Sequence, residues 1–86
     1  MVLDFKVTRL HKFNEGATKA ICDVSISDEF LMKGFRIVDG KNGLFVGVPR
    51  EKGKDGKWYN SVFPLTASAR EALEQTVLTA YQVSEE

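Results

Sequence analysis

The chain has 86 residues, 43% of them hydrophobic and 28% charged, which suits one globular domain and excludes a disordered segment. Twelve basic residues balance twelve acidic ones, so a polyanion partner could be held only by charges segregated on the surface, never by net charge. One cysteine, Cys22, excludes an intramolecular disulfide, and the absence of a secretory leader pattern in Met1–Lys6 or of a run near the ~20 apolar residues of a membrane helix sets the expectation of a cytoplasmic, non-membrane protein.

In chain order, Leu3, Phe5 and Val7 alternate with Asp4, Lys6 and Thr8, the period of a strand over about 3–13. The phase shifts after Val7 toward Leu10 and Phe13, which signals a bulge. Asn14-Glu15-Gly16 is turn chemistry. A second strand, 18–27, puts Ala20, Cys22, Val24 and Ile26 on one face, with Lys19, Asp23 and Ser25 on the other and Ile21 as the exception. After Ser27-Asp28-Glu29 a third strand covers 30–39, with Gly34 marking a bulge or a close approach of backbone. Asp39-Gly40-Lys41-Asn42-Gly43 collects residues that accept positive φ. Residues 44–50 read as a fourth strand apolar on both faces, with Pro49 confined to its end or edge.

Arg50 to Lys57 forms a charged loop containing Asp55-Gly56, a hairpin signal, before a fifth strand over 58–63 closed by Pro64. A helix over about 67–82 follows, with Ala69, Ala72, Leu73, Val77, Ala80 and Tyr81 on one face. Ser68 with Glu71 fits a capping box, and Thr66 competes as the cap. Val83-Ser84-Glu85-Glu86 reads as a fraying acidic end. No repeat or linker interrupts the pattern, so residues 1–86 form one unit: an α+β fold, a five-stranded antiparallel β-meander with one C-terminal helix packed on the sheet. A domain this small is modestly stable alone, and oligomerisation is a common remedy.

Catalytic and cofactor motifs are absent. His11 reads as a strand residue near the rim and Cys22 as a buried structural thiol; the strand phases keep them apart from a carboxylate. The acidic residues lack metal-loop spacing, and Gly40-Lys41-Asn42-Gly43 lacks the spacing and Lys-Ser/Thr of a phosphate loop. The expectation is a protein that is not an enzyme and carries no metal or cofactor.

Binding chemistry is concentrated in Arg50, Lys52, Lys54 and Lys57, followed at once by Trp58 and Tyr59. Lysines on a hairpin can follow a phosphate backbone while an aromatic stacks on a base. The same residues also suit a solvated loop diluted by Glu51 and Asp55, with the aromatics packed on the sheet. Arg70 lies early in the helix, where the dipole disfavours a cation, which hints at a carboxylate or phosphate partner.

The block Phe35-Arg36-Ile37-Val38-Asp39-Gly40-Lys41-Asn42-Gly43-Leu44-Phe45-Val46-Gly47-Val48-Pro49 resembles the signature of the stage V sporulation protein G (SpoVG) family of bacterial septation regulators. Val7-Thr8-Arg9-Leu10, Asp55-Gly56-Lys57-Trp58-Tyr59 and Phe63-Pro64-Leu65 through Arg70 extend the resemblance in order over nearly the whole chain. It implies an antiparallel sheet with a helix, a homodimer built partly by strand pairing, and a global regulator that binds DNA and RNA. The basic positions it implies are Arg50, Lys52, Lys54, Lys57 and Arg70. The chain departs from the family pattern at Glu51, an acid among the bases, and at Phe63, where the family carries histidine. A regulator working through protein contacts at a sheet edge or apolar face is the alternative.

Overall fold

In the computed structural model, which describes residues 4–84, four strands pair antiparallel in chain order: β1 (Phe5–Lys12), β2 (Thr18–Ile26), β3 (Phe30–Gly40) and β4 (Gly43–Gly47). A separate two-stranded ribbon joins β5 (Arg50–Lys52) to β6 (Trp58–Asn60), and α1 (Ala67–Val83) follows. Leu3, expected to begin the first strand, and the terminal Glu85-Glu86 lie outside the described residues.

The α+β meander with a helix on its face therefore stands, but a continuous five-stranded sheet does not. Pro49 provides the physical reason for the split. It has no N–H to donate to a ladder, so pairing with β3 ends at Gly47 and the chain turns away. The buried Pro49 carbonyl instead accepts the Ser61 amide at 2.9 Å and the Ser61 hydroxyl at 3.2 Å. That clamp closes the ribbon's base. At its tip the Gly53 N–H donates to Lys57 O at 2.8 Å, and Gly56 sits at φ 84°, a conformation natural to glycine. The fifth expected strand consequently stops at Asn60, not at residue 63.

Three register shifts interrupt the ladders, at Thr8 in β1, Lys19 in β2 and Gly34 in β3, and the first and last set which residues face the helix. β1 carries one extra residue between Val7 and Arg9, so that Val7 and Leu10 both pack against the core. β3 carries Gly34, at φ 97°, as the extra residue opposite the Cys22–Asp23 step. Without it Met32 and Phe35 could not share a face, because side chains alternate along a strand. The core then gathers Ala20, Cys22, Val24, Phe35 and Ile37 from the sheet against Leu73 and Val77 from α1.

The helix begins at Thr66, not Ser68. Thr66 has extended backbone (φ −128°, ψ 156°), and its hydroxyl accepts the Ala69 N–H at 3.1 Å. Ser68 lies inside the first turn, so Glu71 completes no capping box. At the other end Lys12 donates from Nζ to the Ser84 carbonyl at 2.7 Å and lies 4.9 Å from the centre of the Tyr81 ring. A cation is favoured there by the helix dipole, and it ties α1 to β1. Among the described residues no helix is long and apolar enough to cross a membrane.

Candidate functional site

The pleat of the β5–β6 ribbon sorts its charges. Arg50 pairs with Asn60, Glu51 with Tyr59 and Lys52 with Trp58. Neighbours along a strand point to opposite faces, and directly paired residues share one. Arg50, Lys52, Trp58 and Asn60 therefore occupy one face, and Glu51 is left on the other with Tyr59. The acid that interrupts the basic run in sequence does not interrupt it in space. Asp55, the second acid, is turned inward to the hairpin, accepting the Lys57 N–H at 2.9 Å and the Tyr59 hydroxyl. The Tyr59 hydrogen bond, followed by the Lys57 amide, lowers the Asp55 pKa, and the same bond raises that of Tyr59.

Beside the ribbon lies a cavity of about 450 Å³ into which three arginines converge from three elements: Arg36 of β3, Arg50 of β5 and Arg70 of α1. Arg36 reaches it because its ladder partner is Gly47. A Cβ at that position would lie 2.7 Å from the Arg36 Cζ, so only glycine leaves the guanidinium room to lie across β4. Arg36 is half-buried, and its pKa is lowered first by that burial and then by the Arg50 charge. Two cations held this close are mutually repulsive until an anion enters. Among the described residues the one ion pair within 4 Å is Lys6–Asp28, remote from this cavity, so none of the three arginines has a carboxylate partner at that distance. Glu74 and Asn60 also line the walls.

Next to the cavity Arg50 lies 5.5 Å from the centre of the Trp58 ring, and Trp58 remains 58% exposed. The guanidinium lies over the ring in a cation–π contact, and the exposed part of the ring is left free to stack with a base. Of the five basic positions anticipated from sequence, Arg50 and Arg70 line one cavity, Lys52 shares the ribbon face of Arg50, and Lys54 and Lys57 sit on the exposed hairpin tip. Arg36 was missed as a site residue. Its signal, an arginine inside an apolar strand, becomes meaningful only once the register sets it opposite Gly47.

His11, Cys22 and Asp23, which the strand phases separate in sequence, line one depression of about 220 Å³. Cys22 nevertheless belongs to the core, and burial, assisted by the Asp23 charge, pushes its thiol up to about 11. At neutral pH it is protonated and lacks the thiolate that a nucleophile needs. Among the described residues no three of His, Cys, Asp and Glu gather closely enough to hold a metal ion.

A second cavity, about 350 Å³ and walled by Phe5, Met32, Val62, Phe63, Leu65 and Leu73, opens at the start of α1. Leu65 at 92% and Phe63 at 65% exposure project around it. Large apolar side chains so exposed mark a surface suited to protein contact.

The SpoVG family model matches residues 1–83. The chain is 31% identical over 84 residues to "Putative septation protein SpoVG" of Lachnospira eligens, spanning 98% of this chain and 93% of that protein. It is 36% identical over 74 residues to the protein of the same name from Brevibacillus brevis, spanning 85% and 78% respectively. A third relative, "Putative septation protein SpoVG 1" of Listeria monocytogenes, is 32% identical over 85 residues, 99% of this chain and 81% of that protein.

Proposed function

Because the chain belongs to the SpoVG family, we propose that it is a cytoplasmic nucleic-acid-binding regulator of septation- or sporulation-type processes, acting on DNA or RNA without catalysis. The observation that carries this reading is the convergence of Arg36, Arg50 and Arg70 on one cavity beside the exposed ring of Trp58. Guanidinium groups suit phosphate because their fixed forks donate two hydrogen bonds to its oxygens. A neutral chain binds a polyanion only if its cations are gathered, and here the pleat and the cavity gather them. A second copy of the chain, paired at the free edge of β4 or across the apolar surface of Phe63 and Leu65, would double the cationic face.

Fluorescence anisotropy with labelled DNA and RNA oligonucleotides tests the reading. Tight binding at low salt is expected, with a large loss in Arg50→Glu/Lys52→Glu. Native-like binding by that variant would move the site elsewhere, and no binding by the native protein would end the reading. The exposed Phe63 and Leu65 favour protein contact as the second reading. Under it, partners persist in nuclease-treated lysate and are lost in Phe63→Ser/Leu65→Ser; if nuclease abolishes every association, protein contact is not the function.

A further inference from the structure

The geometry points to a more specific ligand for the arginine cavity: the terminal phosphate of a nucleic-acid strand, a phosphate monoester, in preference to an internal phosphodiester. This inference rests on the nucleic-acid reading above and sharpens it.

Charge is the first argument. Three arginines and Glu74 line the cavity, which leaves a formal charge of +2. An internal diester carries one negative charge, whereas a monoester carries about −1.5 to −2 at neutral pH and offers three strongly accepting oxygens. Three guanidiniums arriving from β3, β5 and α1 match three oxygens of one group. They match poorly to a backbone running past, whose successive phosphates need cations spaced along a line.

Shape is the second. The cavity is walled by β3–β4 at Arg36 and Val46, by the ribbon at Arg50 and Asn60, by the 62–64 segment, and by α1 at Arg70. Side chains drawn from four separate segments around one space suit a single compact anion better than an extended backbone. Trp58 is placed to receive the terminal base, because Arg50 both lines the cavity and lies 5.5 Å from the ring centre.

The test compares one short single-stranded sequence in four forms: 5′-phosphorylated, 3′-phosphorylated, hydroxyl at both ends, and covalently circularised. At least one phosphorylated end is expected to bind about tenfold or more tighter than the hydroxyl-ended and circular forms, the scale of an added charge-assisted contact. Arg36→Gln and Arg70→Gln should each erase that difference between ends. Arg70 is exposed on the helix, so its variant keeps the fold even if substitution of the half-buried Arg36 does not. A nucleoside 5′-monophosphate should compete with the phosphorylated end; failure to compete at millimolar concentration would place the selectivity outside the cavity and overturn the inference. Equal binding of all four forms would also overturn it while leaving nucleic-acid binding intact. Binding of none would end both.

Discussion

Replacing Gly47 with alanine should damage binding while sparing the fold, and the structure says by how much. The added Cβ would stand 2.7 Å from the Arg36 Cζ, against the roughly 3.5–4.0 Å at which carbons rest in contact. The guanidinium must therefore move by about 1 Å, away from Arg50 and the cavity. Only the far end of a long side chain has to give, so strain is small. The substitution also removes glycine's conformational freedom from the unfolded chain at a strand position, worth about 0.5–1 kcal/mol in favour of folding. The two effects nearly cancel, and thermal melting should shift by no more than about 4 °C in either direction. Affinity for a single-stranded oligonucleotide carrying terminal phosphates should nevertheless fall about tenfold, the scale of one misplaced charge-assisted contact. Anisotropy titration of Gly47→Ala, Arg36→Gln and the double variant forms a cycle in which the second substitution adds little to the first. Native affinity in Gly47→Ala alongside weakened Arg36→Gln would refute the claim that glycine positions this arginine. A fall in melting temperature beyond 10 °C would refute the view that the guanidinium can yield.

Three further outcomes follow from local structure. Thr66→Ala removes the hydroxyl that accepts the Ala69 N–H and should destabilise the fold by about 1 kcal/mol in chemical denaturation, whereas Ser68→Ala should be close to neutral. Asp55 has its pKa lowered in the folded hairpin, so its stabilisation is present above the ordinary carboxylate range and is lost as pH falls below it; Asp55→Asn should flatten the acid arm of the stability profile between pH 2 and 5, and an unchanged profile would count against the Tyr59–Asp55 bond. The Cys22 thiol, at about 11, should react with an alkylating reagent at pH 8 only as fast as the chain opens, so its rate should follow denaturant concentration; rapid labelling of the native protein would contradict its burial.

Much of the fold was legible because its signals are local. The alternation through Ala20, Cys22 and Val24 marks the buried face of β2, and Gly34 inside an apolar run marks the bulge in β3. The split into two sheets was less visible: Pro49 bars a continued ladder, but only the bond from Ser61 to its carbonyl shows where the chain goes instead. Thr66 and Ser68 offer the same capping chemistry two residues apart, and the backbone at Thr66 decides between them. The candidate site depended most on pairing. Glu51 dilutes the charge along the chain but not across the ribbon, because register sets it with Tyr59. Arg36 looks like an anomaly in β3 until it is paired with Gly47 and joined by two arginines distant in sequence.

Under the proposed function, Arg36, Arg50 and Arg70 together hold a phosphate of a nucleic-acid strand. The slope of log affinity against log salt tests this, measured with a single-stranded oligonucleotide carrying a terminal phosphate for the native protein and for the triple variant Arg36→Gln/Arg50→Gln/Arg70→Gln. Each phosphate neutralised on a single strand contributes about 0.7 to that slope. Clear salt dependence is expected for the native protein, with a reduction of about 0.7, one phosphate, in the triple variant. An unchanged slope would show that the arginines are not at the interface, and a reduction near 2 would show that they contact separate phosphates and do not act as one site.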